Sequence, residues 1–247
     1  MTASQSPDNF TAPPTWPKRP ARLGTAVVDV LVDRIVAGEL EPGTLLPTEP
    51  RLSEVFSVSR TVIREVVKNL EQKGLVRARQ GQGTRVALPD DWNLLDPMVL
   101  EASVRHDKDL RILDDLVAVR RVLEAEMARE AAVRSTSEDR EDMKRLLGQL
   151  AADEGTPDRH MLTDLEFHDA IMRASGNRLG RAVVRAIHTE ARTSDRYNGY
   201  PVRADCEASD IGHAQIYDRI VEGDPEGAAT AMSEHIVGSW LARRDKP

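Results

Sequence analysis

Residues 46–86 read LPTEPRLSEVFSVSRTVIREVVKNLEQKGLVRARQGQGTRV, and their pattern predicts the architecture of the N-terminal part of the chain. Its apolar residues follow helical spacing over about 49–56 and again over 60–73, and Gly74 ends the second helix. Between the helices SVSR predicts a tight turn in which Ser59 is a favourable N-cap. LVRAR and TRVAL then read as short strands around QGQG, whose glycines allow the φ angles of a hairpin turn.

A further helix is predicted before this stretch, from Leu23 to Val36, and Gly38 ends it. Three helices followed by a β-hairpin are the element order of a winged helix-turn-helix, whose third helix enters the major groove of DNA. Arg60 and Thr61 stand in the first turn of that helix; Arg can bind guanine bidentately, and Thr can contact a phosphate or a thymine methyl. The alternative, a basic solvated helix beside an unrelated hairpin, is disfavoured because element order, turn chemistry and charge agree.

The stretch resembles the DNA-binding domain of the GntR family of bacterial transcription regulators. The shared pattern is L-P-x-E-x-x-L, V-S-R-x-x-x-R-E, L-x-x-x-G-L and G-x-G-T, in this order. The resemblance implies that operator DNA is bound by the start of the third helix and by the tip of the wing, through Ser59, Arg60, Thr61, Arg64, Gln80 and Gly81.

One position departs from the family pattern. Many members carry Arg directly after the Glu of L-P-x-E, whereas this chain has Pro50 there and Arg51 next to it. One step along a helix turns a side chain by about 100°, so Arg51 is not expected simply to take over that contact.

Composition favours a helical, non-secreted protein. Aromatic residues make up 4% of the 247 residues, which disfavours an all-β sandwich or barrel. No apolar run approaches the ~20 residues that a membrane span needs, and the polar N-terminus has no signal-peptide core. Cys206 is the single cysteine, which indicates a reducing compartment. We expect a cytoplasmic protein that does not associate with a membrane.

The net charge of −7 hides an asymmetry between the two parts of the chain. Residues 1–89 hold 12 Lys and Arg against 9 Asp and Glu, a charge of +3, whereas the remainder holds 22 against 32, a charge of −10. A basic module joined to an acidic one indicates that nucleic acid would be bound by the first part only.

The chain therefore divides into four predicted segments. Residues 1–20 are a Pro-rich disordered arm, 21–88 the winged helix-turn-helix, 89–97 a linker with a proline at each end, and 98–243 an all-helical bundle. The predicted fold class is mainly α, with three helices and a hairpin followed by six to seven helices.

Two pairs of residues in the helical part could ligate a metal. Asp164 and His168 lie one helical turn apart, and His213 and His235 stand at equal distances from the GDPEG turn of a predicted helical hairpin. Three imidazoles and a carboxylate would suit Zn²⁺, Ni²⁺, Mn²⁺ or Fe²⁺. Spacing alone leaves the alternative open, since a carboxylate and an imidazole one turn apart often lie on a solvated surface.

The same region resembles the FCD ligand-binding domain of the FadR subfamily. The matching motifs are R-x-x-L-E-x-x-x-A-x-x-A-A from Arg120, D-x-x-F-H…S-G-N from Asp164, and H-x-x-I…G-D…M-x-x-H from His213. The resemblance implies a divalent metal, Zn²⁺ first, held by Asp164, His168, His213 and His235.

By the same resemblance, Arg120 would pair with the carboxylate of an effector and Asn177 would line its pocket. From the residues alone, Arg120 could equally form an ion pair with Glu124 at i+4. His188 and Arg192 could face the same pocket or solvent, and neither His106 nor His160 is assigned a role.

The predicted function is that of a homodimeric transcriptional regulator and not of an enzyme. We expect a repressor released from a palindromic operator when a small carboxylic acid binds at the metal. Residues 90–101, DDWNLLDPMVLE, resemble linkers of sugar-acid-responsive members, which favours a sugar acid. The alternatives are a regulator that senses the metal alone and a metallohydrolase, although no H-E-x-x-H helix supports the latter.

Overall fold

The computed structural model describes residues 20–153, 156–194, 197 and 203–244. The disordered arm predicted for residues 1–20 lies outside the described residues except at its last position. The contacts divide the chain into two compact units after Asn93, inside the segment predicted to be a linker.

The N-terminal unit contains helices α1 (Pro20–Val36), α2 (Glu49–Phe56) and α3 (Arg60–Gln72), strands β1 (Val76–Arg79) and β2 (Gly83–Val86), and a short 3-10 turn (Pro89–Asp91). The two strands pair antiparallel, with Val76 opposite Val86 and Arg79 opposite Gly83. This is the predicted winged helix-turn-helix.

The turn between α2 and α3 is fixed by local chemistry. Ser57 adopts a left-handed conformation at φ 52°, and the Ser59 hydroxyl caps α3 by accepting a hydrogen bond from the Val62 amide. Helix α3 buries Ile63 and Leu70 completely, as its periodicity predicts. Val55, whose spacing in α2 predicts the same apolar face as Leu52, is instead 53% exposed, whereas Leu52 is buried.

The C-terminal unit is built from helices. Among the residues that the structure describes there are seven: α4 (Pro97–Arg105), α5 (Arg111–Arg134), α6 (Ser137–Asp153), α7 (Pro157–Ala174), α8 (Arg178–Ala191), α9 (Arg203–Glu222) and α10 (Pro225–Arg244). Both the mainly α fold class and the seven-helix bundle are confirmed.

Helix α5 is the centre of the bundle. It packs along α10 and contacts α7, α8 and α9, while α6 packs on α7. The core contains Leu113, Phe167 and Ile171, all at most 1% exposed. Charged and polar side chains are also buried inside this bundle, which is uncommon unless each has a partner. These polar residues form the candidate site.

Candidate metal centre and DNA-binding face

Four potential metal ligands meet inside the C-terminal unit. Asp164 and His168 come from α7, His213 from α9 and His235 from α10, and one ligand atom of each lies within 4.8 Å of all the others. His168 Nε2 lies 3.2 Å from His235 Nε2, and His213 Nε2 lies 3.0 Å from Asp164 Oδ1. Neighbouring ligand atoms around a Zn²⁺ ion with bonds of about 2.0–2.1 Å are also about 3 Å apart.

His213 supplies the test of whether a metal fits. Its side chain is fully buried, and neither ring nitrogen makes a hydrogen bond with the described residues. Nε2 is close to the Asp164 carboxylate, but the two groups lack the alignment of a hydrogen bond. A buried nitrogen without a hydrogen bond is costly in a folded protein. A cation bound between the imidazole and the carboxylate would remove that cost, so the residues present fit a metal ion.

Two further carboxylates stand behind the ligands, on the side away from the cluster. Glu124 Oε2 lies 2.6 Å from His168 Nδ1, and Asp210 Oδ1 lies 3.6 Å from His213 Nδ1. Asp210 Oδ1 also lies 2.9 Å from Nε2 of the buried His160. A carboxylate in hydrogen-bond contact, as Glu124 is with His168, fixes the ring orientation and tautomer of a metal-binding histidine. His160, which was assigned no role from the sequence, thus contacts one of these outer carboxylates.

The surroundings shift the pKa values of three of the candidate ligands in different directions. Burial would raise the pKa of the Asp164 carboxyl, but the His213 imidazole beside it, with His168 and His235, holds that pKa well below its usual range. Burial opposes charging of His213 too, yet Asp164 and Asp210 raise its pKa. Burial and the neighbouring imidazoles lower the pKa of His235 well below the usual value. The Asp164 carboxylate and one ring nitrogen of the neutral His235 imidazole are therefore available as unprotonated ligands.

The position of His235 depends on a glycine that sequence reasoning missed. Gly212 precedes His213 on α9, and a Cβ atom added there would lie 2.6 Å from His235 Nδ1. Any larger residue would push the imidazole away from the cluster. A glycine inside an otherwise helical pattern was the signal that could have revealed this close approach.

A cavity of about 430 Å³ opens beside the ligands. Asp164, His168 and His235 line it, together with the cationic side chains of Arg120 and Arg243. Arg120 is 6% exposed; it lines the cavity and forms the ion pair that its spacing offers, donating from Nε to Glu124 Oε1 over 2.6 Å. Its Nη1 donates to the Tyr197 hydroxyl, also over 2.6 Å. Tyr197 and Arg243 are contacts that the sequence did not reveal.

A second cavity, of about 400 Å³, shares Arg120 and His168 with the first. His188 and Arg192 line this cavity and not the one that Asp164 and His235 reach. Burial, followed by the charge of Arg120, lowers the pKa of His188 well below its usual value.

Asn177 lies apart from both cavities. Its side-chain oxygen accepts a hydrogen bond of 2.9 Å from the Gly180 amide and so caps α8. The residue is exposed, and it is not among those lining either cavity. This placement assigns Asn177 to helix capping, and the effector contact expected of it finds no support here.

The residues expected to bind DNA lie on an exposed face of the N-terminal unit. Arg60, Thr61 and Arg64 are exposed on the first turns of α3, behind the Ser59 cap. Arg64 Nε donates to Glu49 Oε2 over 3.0 Å. The tip of the wing is formed by exposed residues, with Gly81 at φ 76° and Gly83 at φ 81°, as a tight turn between β1 and β2 requires.

Helix α2 accommodates the departure from the family pattern directly after L-P-x-E. Pro50 occupies the first turn of α2, where a proline costs no helical hydrogen bond. Arg51 is exposed and donates to Glu54 Oε2 over 2.6 Å, three residues further along the same helix. Arg51 is thus held along α2 by an ion pair of its own.

Comparison with known proteins decides the family. Residues 23–86 match the bacterial regulatory proteins of the gntR family, and residues 115–238 match the FCD domain. The chain is a GntR-family regulator with an FCD domain. It is 31% identical over 213 residues to an uncharacterized HTH-type transcriptional regulator, YieP, of Escherichia coli K12, a match that covers 85% of the chain and 90% of YieP.

Two other relatives support the same assignment. The galactonate operon transcriptional repressor of E. coli K12 is 30% identical over 213 residues, covering 86% of this chain and 93% of the repressor. The uncharacterized regulator Rv0494 of Mycobacterium tuberculosis is 30% identical over 247 residues and covers 98% and 96% of the two chains. The protein is accordingly a DNA-binding transcriptional regulator and not an enzyme. Within its described residues, the helices are all too short or too polar to cross a bilayer.

Proposed function

We propose that this GntR-family regulator is a homodimer that represses transcription from a palindromic operator and is released when a small sugar acid binds beside a divalent metal ion. Asp164, His168, His213 and His235 would hold the ion, for which Zn²⁺ is the first candidate and Ni²⁺, Mn²⁺ and Fe²⁺ are alternatives. When bound, the ion supplies a Lewis-acid centre for a carboxylate or hydroxyl oxygen of the effector.

The observation that carries the proposal is the composition of the 430 Å³ cavity. Two arginines, Arg120 and Arg243, line it together with three of the candidate metal ligands. A guanidinium binds a carboxylate through two charge-assisted hydrogen bonds, and it does so more strongly where water is excluded. Gln215 and Ser239 add neutral polar groups suited to hydroxyls. Similarity to the galactonate operon transcriptional repressor supports a sugar acid as the effector class and repression as the mode.

On the DNA side, we assign the base contacts to α3. Arg60, Thr61 and Arg64 are exposed there, and Gln80 and Gly81 stand at the tip of the wing, where they would meet the adjacent groove or its phosphates. A two-fold symmetric dimer implies two half-sites in inverted orientation. An effector can change DNA affinity only by the difference in its affinity for the free and DNA-bound states.

The test is a fluorescence anisotropy titration of the full-length protein on its own promoter region and on random DNA at physiological salt. We expect preferential binding to the promoter, and a loss of this binding when an acid from a panel that includes D-galactonate is added together with Zn²⁺. A chelator such as EDTA should remove the acid response. Equal affinity for the two DNAs would refute the operator assignment.

The same experiment separates the alternatives. If Zn²⁺ or Ni²⁺ alone switches DNA binding and no acid adds to the effect, the protein is a metal sensor and the effector assignment is wrong. A matched control is His106→Ala, since His106 is a histidine of the same unit outside the ligand cluster. This variant should keep the full response to metal and acid.

A further inference from the structure

A buried carboxylate joins the effector arginine to the metal cluster. Glu124 is 0% exposed and divides its two oxygens between different partners. Oε1 accepts a hydrogen bond from Arg120 Nε, and Oε2 lies 2.6 Å from His168 Nδ1. Arg120 and Glu124 stand one turn apart on α5, whereas His168 is on α7, so these contacts run from the cavity lining across to a metal ligand.

The last contact in this series joins His168 to the other candidate metal ligands. His168 has its other ring nitrogen, Nε2, 3.2 Å from His235 Nε2. The contact of Glu124 with Nδ1 therefore orients the nitrogen that would bind the ion.

The second outer carboxylate offers a contrast within the same cluster. Asp210 Oδ1 stands 3.6 Å from His213 Nδ1, a full 1 Å longer than the Glu124–His168 contact of 2.6 Å. Its other neighbour is His160, which lines the cavity where the effector would bind, although neither Asp210 nor Glu124 does so. Of the two outer carboxylates, Glu124 is the one tied to a cavity-lining arginine.

We propose that Glu124 is a positioning residue that couples effector binding at Arg120 to metal binding at His168. A carboxylate with no exposure to solvent is oriented by its protein partners alone. The contact of Glu124 with His168 therefore depends on the hydrogen bond that Glu124 accepts from Arg120. An acid that draws Arg120 toward itself changes that contact, and by linkage the bound metal changes the affinity for the acid by the same factor. This inference rests on the metal site of the proposed function.

A double-mutant cycle on Zn²⁺ affinity tests the coupling without any effector. The dissociation constant is measured by competition with a chromophoric chelator for the full-length protein and for the Glu124→Gln, Arg120→Met and doubly substituted variants. We expect Glu124→Gln to weaken Zn²⁺ binding by about 10- to 100-fold, as loss of an outer carboxylate does. Arg120→Met, although it removes no ligand atom, should weaken it by about tenfold, within the same range. In the double variant, loss of Arg120 should add nothing to the loss of Glu124.

Two control variants distinguish coupling from general damage. Asp210→Asn should also weaken Zn²⁺ binding, but its effect should multiply with that of Arg120→Met, because Asp210 and Arg120 share no partner. His106→Ala, at a histidine of the same unit outside the ligand cluster, should leave Zn²⁺ affinity unchanged. Should Glu124→Gln fail to fold, as judged by circular dichroism, Glu124→Asp and Arg120→Lys form a second cycle. There the carboxylate is too short to reach both partners, and Lys provides only a single point of contact.

The outcomes separate this inference from the proposed function. If the unsubstituted protein takes up none of Zn²⁺, Ni²⁺ or Mn²⁺, the metal site is refuted and the coupling falls with it. If Zn²⁺ binds but Arg120→Met leaves its affinity unchanged, or multiplies with Glu124→Gln, the metal site stands and the coupling alone is overturned.

Discussion

The two units of this regulator place their functional residues in opposite ways. In the N-terminal unit, the side chains expected to bind DNA are exposed on α3 and the wing, outside an apolar core. In the C-terminal unit, the candidate ligands and their partners replace part of the core itself, and His168, His213 and His235 are each at most 9% exposed. Binding a large polyanion such as DNA requires an exposed surface, whereas binding a small ion or acid tightly requires a site from which water is excluded.

The difference has an energetic consequence. The ion pair of Arg64 with Glu49 has side chains 67% and 40% exposed, and such pairs contribute about 0–1 kcal/mol. The pair of Arg120 with Glu124 is 8% and 0% exposed, and removing one partner of a buried pair costs about 3–5 kcal/mol. Substitutions on the DNA-binding face should therefore change function with little effect on stability, whereas substitutions in the metal centre should change both.

The largest effect that would test this contrast is expected for His213→Ala. Loss of a ligand at the fully buried His213 should weaken Zn²⁺ binding by more than about 100-fold, beyond the effect of an outer-layer change. The affinity of the effector-free protein for its promoter should stay within about twofold of the unsubstituted value, because His213 and the residues expected to contact DNA belong to separate compact units. Chelator competition and fluorescence anisotropy measure the two quantities. Retained Zn²⁺ affinity would remove His213 from the ligand set.

The complementary substitution is Arg60→Ala at the start of α3. Loss of a bidentate base contact should weaken promoter binding by about 10- to 100-fold, while Zn²⁺ affinity and the thermal unfolding midpoint remain unchanged. Lys68→Ala is the matched control: Lys68 is exposed on the same helix, two turns further on, and paired with Glu65. Its loss should weaken binding to promoter and random DNA alike, if at all. An equal loss of specificity in both variants would place the base contacts elsewhere on α3.

The same contrast explains what the sequence could predict. The turn at Ser59, the exposed face of α3 and the hairpin are encoded by neighbouring residues, so periodicity and turn chemistry were sufficient to predict them. The convergence of His213 and His235 followed from equal arms of one helical hairpin, which is again a local relationship, and their ring centroids lie 4.3 Å apart.

What the sequence did not reveal depends on packing between helices distant in the chain. Glu124 was considered only as an ion-pair partner of Arg120, and nothing local indicates that its second oxygen meets His168, 44 residues away. Tyr197 reaches Arg120 across 77 residues in the same way. Asn177, predicted to line the effector pocket, instead forms a local contact in the structure, because its side chain caps α8.

A smaller effect is expected at Gly212, which allows His235 to approach α9. Gly212→Ala would place a methyl group 2.6 Å from His235 Nδ1, so the imidazole must move away and Zn²⁺ affinity should fall by about tenfold. Gly148→Ala in α6 is the matched control, since no atom lies within 4 Å of a Cβ atom there. That variant should bind Zn²⁺ normally and gain up to about 1 kcal/mol from its higher helix propensity. Unchanged Zn²⁺ affinity in Gly212→Ala would show that His235 does not depend on this close approach.

The smallest effect concerns a surface contact of the C-terminal unit. The Asp114 carboxylate on α5 accepts hydrogen bonds from Arg244 and from Trp240 Nε1, on the last turns of α10. Its hydrogen bond with Arg244 is the main cause that lowers the pKa of Asp114, with burial opposing and Trp240 assisting. Because Asp114 is 38% exposed, Asp114→Asn should lower the free energy of unfolding by only about 1 kcal/mol at pH 7.

The pH dependence of the free energy of unfolding shows whether the charge of Asp114 causes that loss. A carboxyl whose pKa is lowered by folding contributes stability that is present above its unfolded value, about 3.9, and that disappears as the pH falls through the folded value. Urea unfolding of both proteins between pH 7 and pH 3 should therefore show a difference that is constant down to about pH 5 and shrinks below about pH 4. A difference that persists undiminished at pH 3 would mean that the Asn side chain disturbs packing against Trp240, and that the charge of Asp114 is not what holds α10 to α5.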